Sequence, residues 1–137
     1  MSKRPRGSPR GLARAAARAA AFERLVDRAL AAIPAPYDEA LHEVAILIED
    51  EPSPGQLAEN GLGPDDGLYG LYEGVPRTEY AADWSAIPNR ITLFRLPLEE
   101  DFPDASALEE EVRMTVLHEL AHHLGIDDDR LDELGAG

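Results

Sequence analysis

Residues 107–125 read Ala-Leu-Glu-Glu-Glu-Val-Arg-Met-Thr-Val-Leu-His-Glu-Leu-Ala-His-His-Leu-Gly, and near the end of this run stands His118-Glu119-Leu120-Ala121-His122. The apolar positions recur at helical spacing. Val116, Leu117, Leu120, Ala121 and Leu124, with Met114, share one broad apolar arc, so the run predicts a strongly amphipathic helix. His118 and His122 border that arc. At ~100° per residue, two side chains at i and i+4 project from one side of a helix about one turn apart, close enough to share a metal ion. The ion needs neutral imidazole nitrogens, and a carboxylate that stays off it must take a proton from water. Glu119 is placed for that role, and the H-E-x-x-H pattern points to metal-dependent hydrolysis.

Two histidines do not complete such a site, because catalytic zinc commonly takes three protein ligands and keeps a fourth position open. Gly125 follows the last apolar residue and suits the left-handed turn that ends a helix. Beyond it lies Ile126-Asp127-Asp128-Asp129-Arg130. Asp128 is the favoured third ligand, with Glu133 in reserve; Asp127 or Asp128 instead suits the N-cap of a short C-terminal helix through Leu134. Asp127 and Asp129 are also placed to orient an imidazole N–H. His123 lies roughly 140° around the helix from His118, so a structural or solvent-facing role is expected of it. His42, ahead of the first strand, reads as incidental.

From Glu111 to Gly135, and most specifically in His118-Glu-Leu-Ala-His-His-Leu-Gly-Ile-Asp-Asp128, the chain resembles the small bacterial zincin-like metallopeptidases, single domains built around H-E-x-x-H-x-x-G-x-x-D. Stretches 46–52, 70–76 and 90–95 are similar as well, so the resemblance covers most of the chain after residue 20. It implies a zincin core with one zinc ion per chain, held by His118, His122 and Asp128, and Glu119 as the general base. The position of Asp128 is more often a histidine in the wider zincin arrangement, and aspartate is an acceptable zinc ligand. The substrate does not follow from the resemblance.

At 137 residues and 44% apolar composition, the chain suffices for one domain with one modest core. It has no cysteine, which removes disulfides, iron–sulfur clusters and thiolate zinc sites and suits a reducing compartment. No apolar run approaches the ~20 residues that span a bilayer, and a cytoplasmic protein is expected. The net charge of −14 is unevenly spread: residues 1–28 hold eight Lys/Arg against Glu23 and Asp27, and the remainder holds five basic and twenty-five acidic residues. An acidic body repels phosphate backbones and argues against nucleic acid as a partner. Residues 1–18 read as a basic, disordered tail, and 19–137 as the single domain.

Along that domain, Phe22, Leu25, Val26, Ala29, Leu30 and Ile33 predict a helix from about Ala19, stopped by Pro34. Val44-Ala-Ile-Leu-Ile48 predicts a strand, 52–66 a wandering loop, 67–74 a second strand, 75–89 another loop, and 90–96 a third strand closed by Pro97. The expected fold is α+β and zincin-like: an N-terminal helix, a small mixed sheet of three to four strands, the active-site helix packed on that sheet, and a short C-terminal helix. An extended peptide adding to the edge at 67–74 or 90–96 is the expected partner. Tyr69, Tyr72, Tyr80, Arg77 and Arg130 are candidates to steady an oxyanion, and Trp84 to line a pocket or cover the core. The function expected is peptide hydrolysis at zinc; a metal-dependent nuclease or other hydrolase, and a metal-stabilised peptide-binding module without turnover, are the alternatives.

Overall fold

A computed structural model of the chain describes residues 9–74 and 89–125. Helix α1 (Pro9–Ala31) leads through α2 (Tyr37–Ala40) and a 3-10 turn (Leu41–Glu43) to strand β1 (Ala45–Glu49). Then come α3 (Pro54–Glu59), β2 (Gly70–Glu73), β3 (Arg90–Phe94), α4 (Arg95–Asp101) and α5 (Ala105–His123). The strands form one mixed sheet in the order β1-β3-β2, with β1 parallel and β2 antiparallel to the central β3. This is the α+β arrangement expected, with three strands; the expected C-terminal helix lies outside the described residues.

Strand alternation decides which residues meet the helices. Ile46, Ile48, Ile91, Leu93, Gly70 and Tyr72 share one face through the pairings Ile46↔Ile91, Ile48↔Leu93, Gly70↔Leu93 and Tyr72↔Ile91. Ile91 and Leu93 are wholly buried there, in one core with Phe22, Leu25, Val26 and Ala29 of α1 and Val112, Val116, Leu117 and Leu120 of α5. On β1 the opposite face is exposed, Leu47 included.

Helix α5 is less one-sided than its sequence suggests. Buried residues Leu108, Val112, Val116, Leu117, Leu120, Ala121 and His123 cover more than half its circumference, because α1 lies on one flank and β2 and β3 on another. Outside that buried arc one narrow strip of α5 holds Glu111, Thr115, His118, Glu119 and His122. The helix starts at Asp104, whose carboxylate accepts the Ala107 N–H at 2.9 Å. Asp104→Ala is expected to cost about 1 kcal/mol and to lower Tm by roughly 4 °C in a thermal melt.

Three elements differ from expectation. Helix α1 continues back to Pro9, well before the first buried residue, Phe22. Its exposed early half is mostly alanine with Arg10, Arg14 and Arg18, strong helix formers that need no core contact and that outweigh Gly11. Helix α3 occupies part of the expected loop 52–66. Ser53 and Gln56 form a reciprocal capping box there, Gln56 N–H donating to Ser53 Oγ at 3.1 Å and Ser53 N–H to Gln56 Oε1 at 2.8 Å. Strand β3 ends at Phe94 and α4 begins at once, with Pro97 inside it. In the first turn of a helix Pro97 removes no hydrogen bond that the helix would make. Arg95 anchors that turn, donating to Asp50 at 3.0 Å and to Glu99 at 2.7 Å. No helix among the described residues is long and apolar enough to cross a membrane.

Candidate functional site

On this strip of α5, His118 and His122 stand with ring centroids 5.1 Å apart and planes at 67°. Two imidazoles binding one tetrahedral zinc ion through nitrogens at ~2.0–2.1 Å have ring centres roughly 5 Å apart, and the separation of this pair is compatible with that. Glu119 sits beside them, its side chain only 13% exposed against 44% for His122. Its Oε2 lies 3.1 Å from His122 Nδ1. When Nδ1 carries the proton and donates to this carboxylate, Nε2 keeps the lone pair that a metal takes.

The same Oε2 accepts the Tyr72 N–H at 3.1 Å. This bond arises from the sheet. Phe94 N–H donates to the Tyr69 carbonyl; in an antiparallel ladder the next residues to pair are alternate ones, so Leu71 and Glu73 bond β3 while Gly70 and Tyr72 turn their N–H and C=O outward. Strand β2 is therefore an edge, and its outward amide reaches the carboxylate of the helix beneath. Of the two segments expected to supply the edge, 67–74 does so; β3 is central. Gly70 permits the close approach: a Cβ there would lie 2.6 Å from Thr115 Cγ2 of α5.

Tyr72 also fastens the site from behind. Its hydroxyl donates to Asn89 Oδ1 at 3.1 Å and lies 3.0 Å from His123 Nδ1, while His123 Nε2 lies 3.2 Å from Glu43 Oε1. His123 is fully buried, which makes the structural of its two expected roles the one realised. Replacing Tyr72 by Phe strips a partner from buried His123 and is expected to cost about 1–3 kcal/mol in urea unfolding. The backbone contact to Glu119 survives that change.

A cleft of about 450 Å³ opens along the strip, lined by Leu68, Tyr69, Gly70, Glu111, Met114, Thr115, His118 and Glu119. The Tyr69 hydroxyl donates to Asp101 at 2.5 Å. That bond, with burial and the charges of Asp101 and Glu111, pushes its pKa up to about 12, so it keeps its proton and spends it on Asp101. Tyr72 points its hydroxyl at His123 and Asn89. Neither tyrosine hydroxyl is thus aimed at an oxyanion. Glu111 is held above the usual carboxylate range by burial and by neighbouring Glu110.

Sequence reasoning placed His118, Glu119 and His122 together, and the structure does the same. It missed the Tyr72 amide, which only sheet pairing reveals, and Glu111 and Thr115, whose signal was their spacing of seven and three residues before His118 on one helix face. His42 is exposed, in the middle of the 3-10 turn. Among the described residues no group of three metal-ligating side chains forms. Asp127, Asp128, Asp129, Arg130 and Glu133 lie outside the described residues, as do Arg77, Tyr80 and Trp84.

Residues 41–137 match the family model described as zincin-like metallopeptidase. Among solved structures the chain is similar to a conserved hypothetical protein from Thermus thermophilus, at 28% identity and a TM-score of 0.51 over 77% of this chain and 92% of that one. No curated protein matches.

Proposed function

Because this chain belongs to the zincin-like metallopeptidase family, we propose that it is a zinc-dependent peptidase acting on extended peptides. One zinc ion per chain is held by His118, His122 and Asp128, and Glu119 is the general base. The observation that carries this reading is the convergence of three groups: two imidazoles at metal-sharing distance, a carboxylate beside them, and an outward-facing sheet edge touching that carboxylate. Zinc, when bound, supplies a Lewis acid that polarises a carbonyl and acidifies a water molecule.

The residues of the chain do the rest. The substrate adds to β2 in extended form, bonding the outward groups of Gly70 and Tyr72, so its main chain is positioned with little demand on its side chains. For the Tyr72 amide to serve the substrate, Glu119 must exchange that partner for the attacking water. Glu119 then accepts a proton from the water and delivers it to the departing amide nitrogen. His122 stays oriented through Nδ1 while this happens. The acidic body weighs against hydrolysis of a phosphodiester, since it repels polyanions.

The test is to incubate the zinc-loaded protein with an unfolded protein substrate and identify new termini by mass spectrometry. Cleavage abolished by a chelator and restored by zinc is the expected result. Zinc retention without cleavage of any unfolded protein or peptide would leave the binding-module alternative in its place.

A further inference from the structure

The cleft beside the site has a composition of its own. Leu68, Met114 and the ring of Tyr69 give it apolar walls, Gly70 and Thr115 its narrow floor where β2 meets α5, and Glu111 the carboxylate among them. Glu111 is half-buried and makes no hydrogen bond or ion pair among the described residues. Its neighbours on the helix differ: Glu110 is paired with Arg113, and Glu109 with Arg28 at 2.7 Å. The Tyr69 hydroxyl feels the Glu111 charge but donates to Asp101, so it does not neutralise Glu111. A carboxylate taken partly out of water without a counter-charge is unfavourable where it stands, and a cation delivered to it is bound more tightly than at an open surface.

Glu111 lies two helical turns from His118, about 10 Å along the axis. A side chain leaving a peptide near the reacting carbonyl must cross the apolar stretch by Met114 and Leu68 before reaching that carboxylate. The aliphatic stem and terminal charge of lysine or arginine match that path.

We propose that this cleft is a side-chain subsite and that Glu111 selects substrates carrying a lysine or arginine next to the scissile bond, its stem on Met114 and Leu68 and its charge on the Glu111 carboxylate. The proposal rests on the peptidase reading, and it names the substrate class that reading leaves open. It also suits the protein's charge, since a body with twenty-five acidic residues after position 28 attracts basic chains.

The experiment uses internally quenched peptides that differ only in carrying Lys, Arg, norleucine or Glu at each position flanking the cleaved bond. At one position, kcat/KM for Lys and Arg should exceed that for norleucine about tenfold, with Glu poorest. Glu111→Gln should erase the Lys/norleucine difference while norleucine peptides are still cleaved, and Glu111→Lys should turn the preference toward Glu. Cleavage with no basic preference, or a preference that survives Glu111→Gln, overturns the proposal. The same peptides, dye-labelled, are titrated against the protein by fluorescence anisotropy. If no peptide is cut, tenfold tighter binding of the Lys peptide that disappears in Glu111→Gln upholds the subsite while the peptidase reading falls; equal binding of all four peptides overturns it.

Discussion

Glu119→Gln is expected to lower kcat on a cleaved peptide by 10²- to 10⁴-fold, on the order of what a positioned general base contributes, with zinc content unchanged. Glutamine keeps the length and shape of the side chain. Its carbonyl oxygen still accepts the Tyr72 N–H and the His122 Nδ1–H that Glu119 Oε2 accepts at 3.1 Å each, so neither the strand edge nor the imidazole is released. What disappears is the capacity to take a proton. The measurement is kcat beside metal content by elemental analysis, and a variant that retains zinc yet cleaves within threefold of the parent would remove Glu119 from the base role. Loss of activity together with zinc would instead show that the side chain acts through the orientation of His122.

The second large effect is expected at Gly70. An alanine there places its Cβ 2.6 Å from Thr115 Cγ2 and 3.4 Å from the Thr92 carbonyl oxygen, so strand and helix must separate. Overpacking of this kind costs about 1–3 kcal/mol. Cleavage is expected to suffer more than stability, because β2 is the edge on which the proposed substrate is seated, and misplacement of ~1 Å at a site can cost on the order of a hundredfold. Thr115→Ser removes the offending methyl. The double variant Gly70→Ala, Thr115→Ser should therefore recover much of both losses, with a coupling of roughly 0.5–3 kcal/mol in a double-mutant cycle. Additive losses would mean that Gly70 matters for some reason other than its contact with Thr115.

Local pattern made some of this molecule legible and left the rest to packing. The end of α1 before Pro34, the two strands rich in β-branched residues and the histidine spacing on α5 are short-range signals, and each reports one chain segment's own preference. Helix α3 also has a local signal, Ser53-Pro54-Gly55-Gln56, but the surrounding Gly, Pro and Asp mask it. Helix α4 was obscured because Pro97 reads as a stop, while only its position in the first turn makes it compatible with a helix. For His123, periodicity placed it off the metal face but did not reveal that Tyr72 and Glu43, from two distant segments, would enclose it. The Tyr72 amide has no side-chain signature at all, since its role follows from lying on the outward side of an edge strand.

The smallness of β2 carries a last consequence. This strand has four residues, gives one side to β3, and leaves all but Gly70 partly open to solvent, whereas α5 and β3 are held by the wholly buried side chains of the core. Segments with few buried contacts open before the rest of a domain does. On warming, β2 would part from β3 and α5 while the helices were still intact, and the edge proposed to seat the substrate would go with it. Any peptide cleavage by the protein should thus stop at a temperature where circular dichroism still reports a native spectrum, and return on cooling.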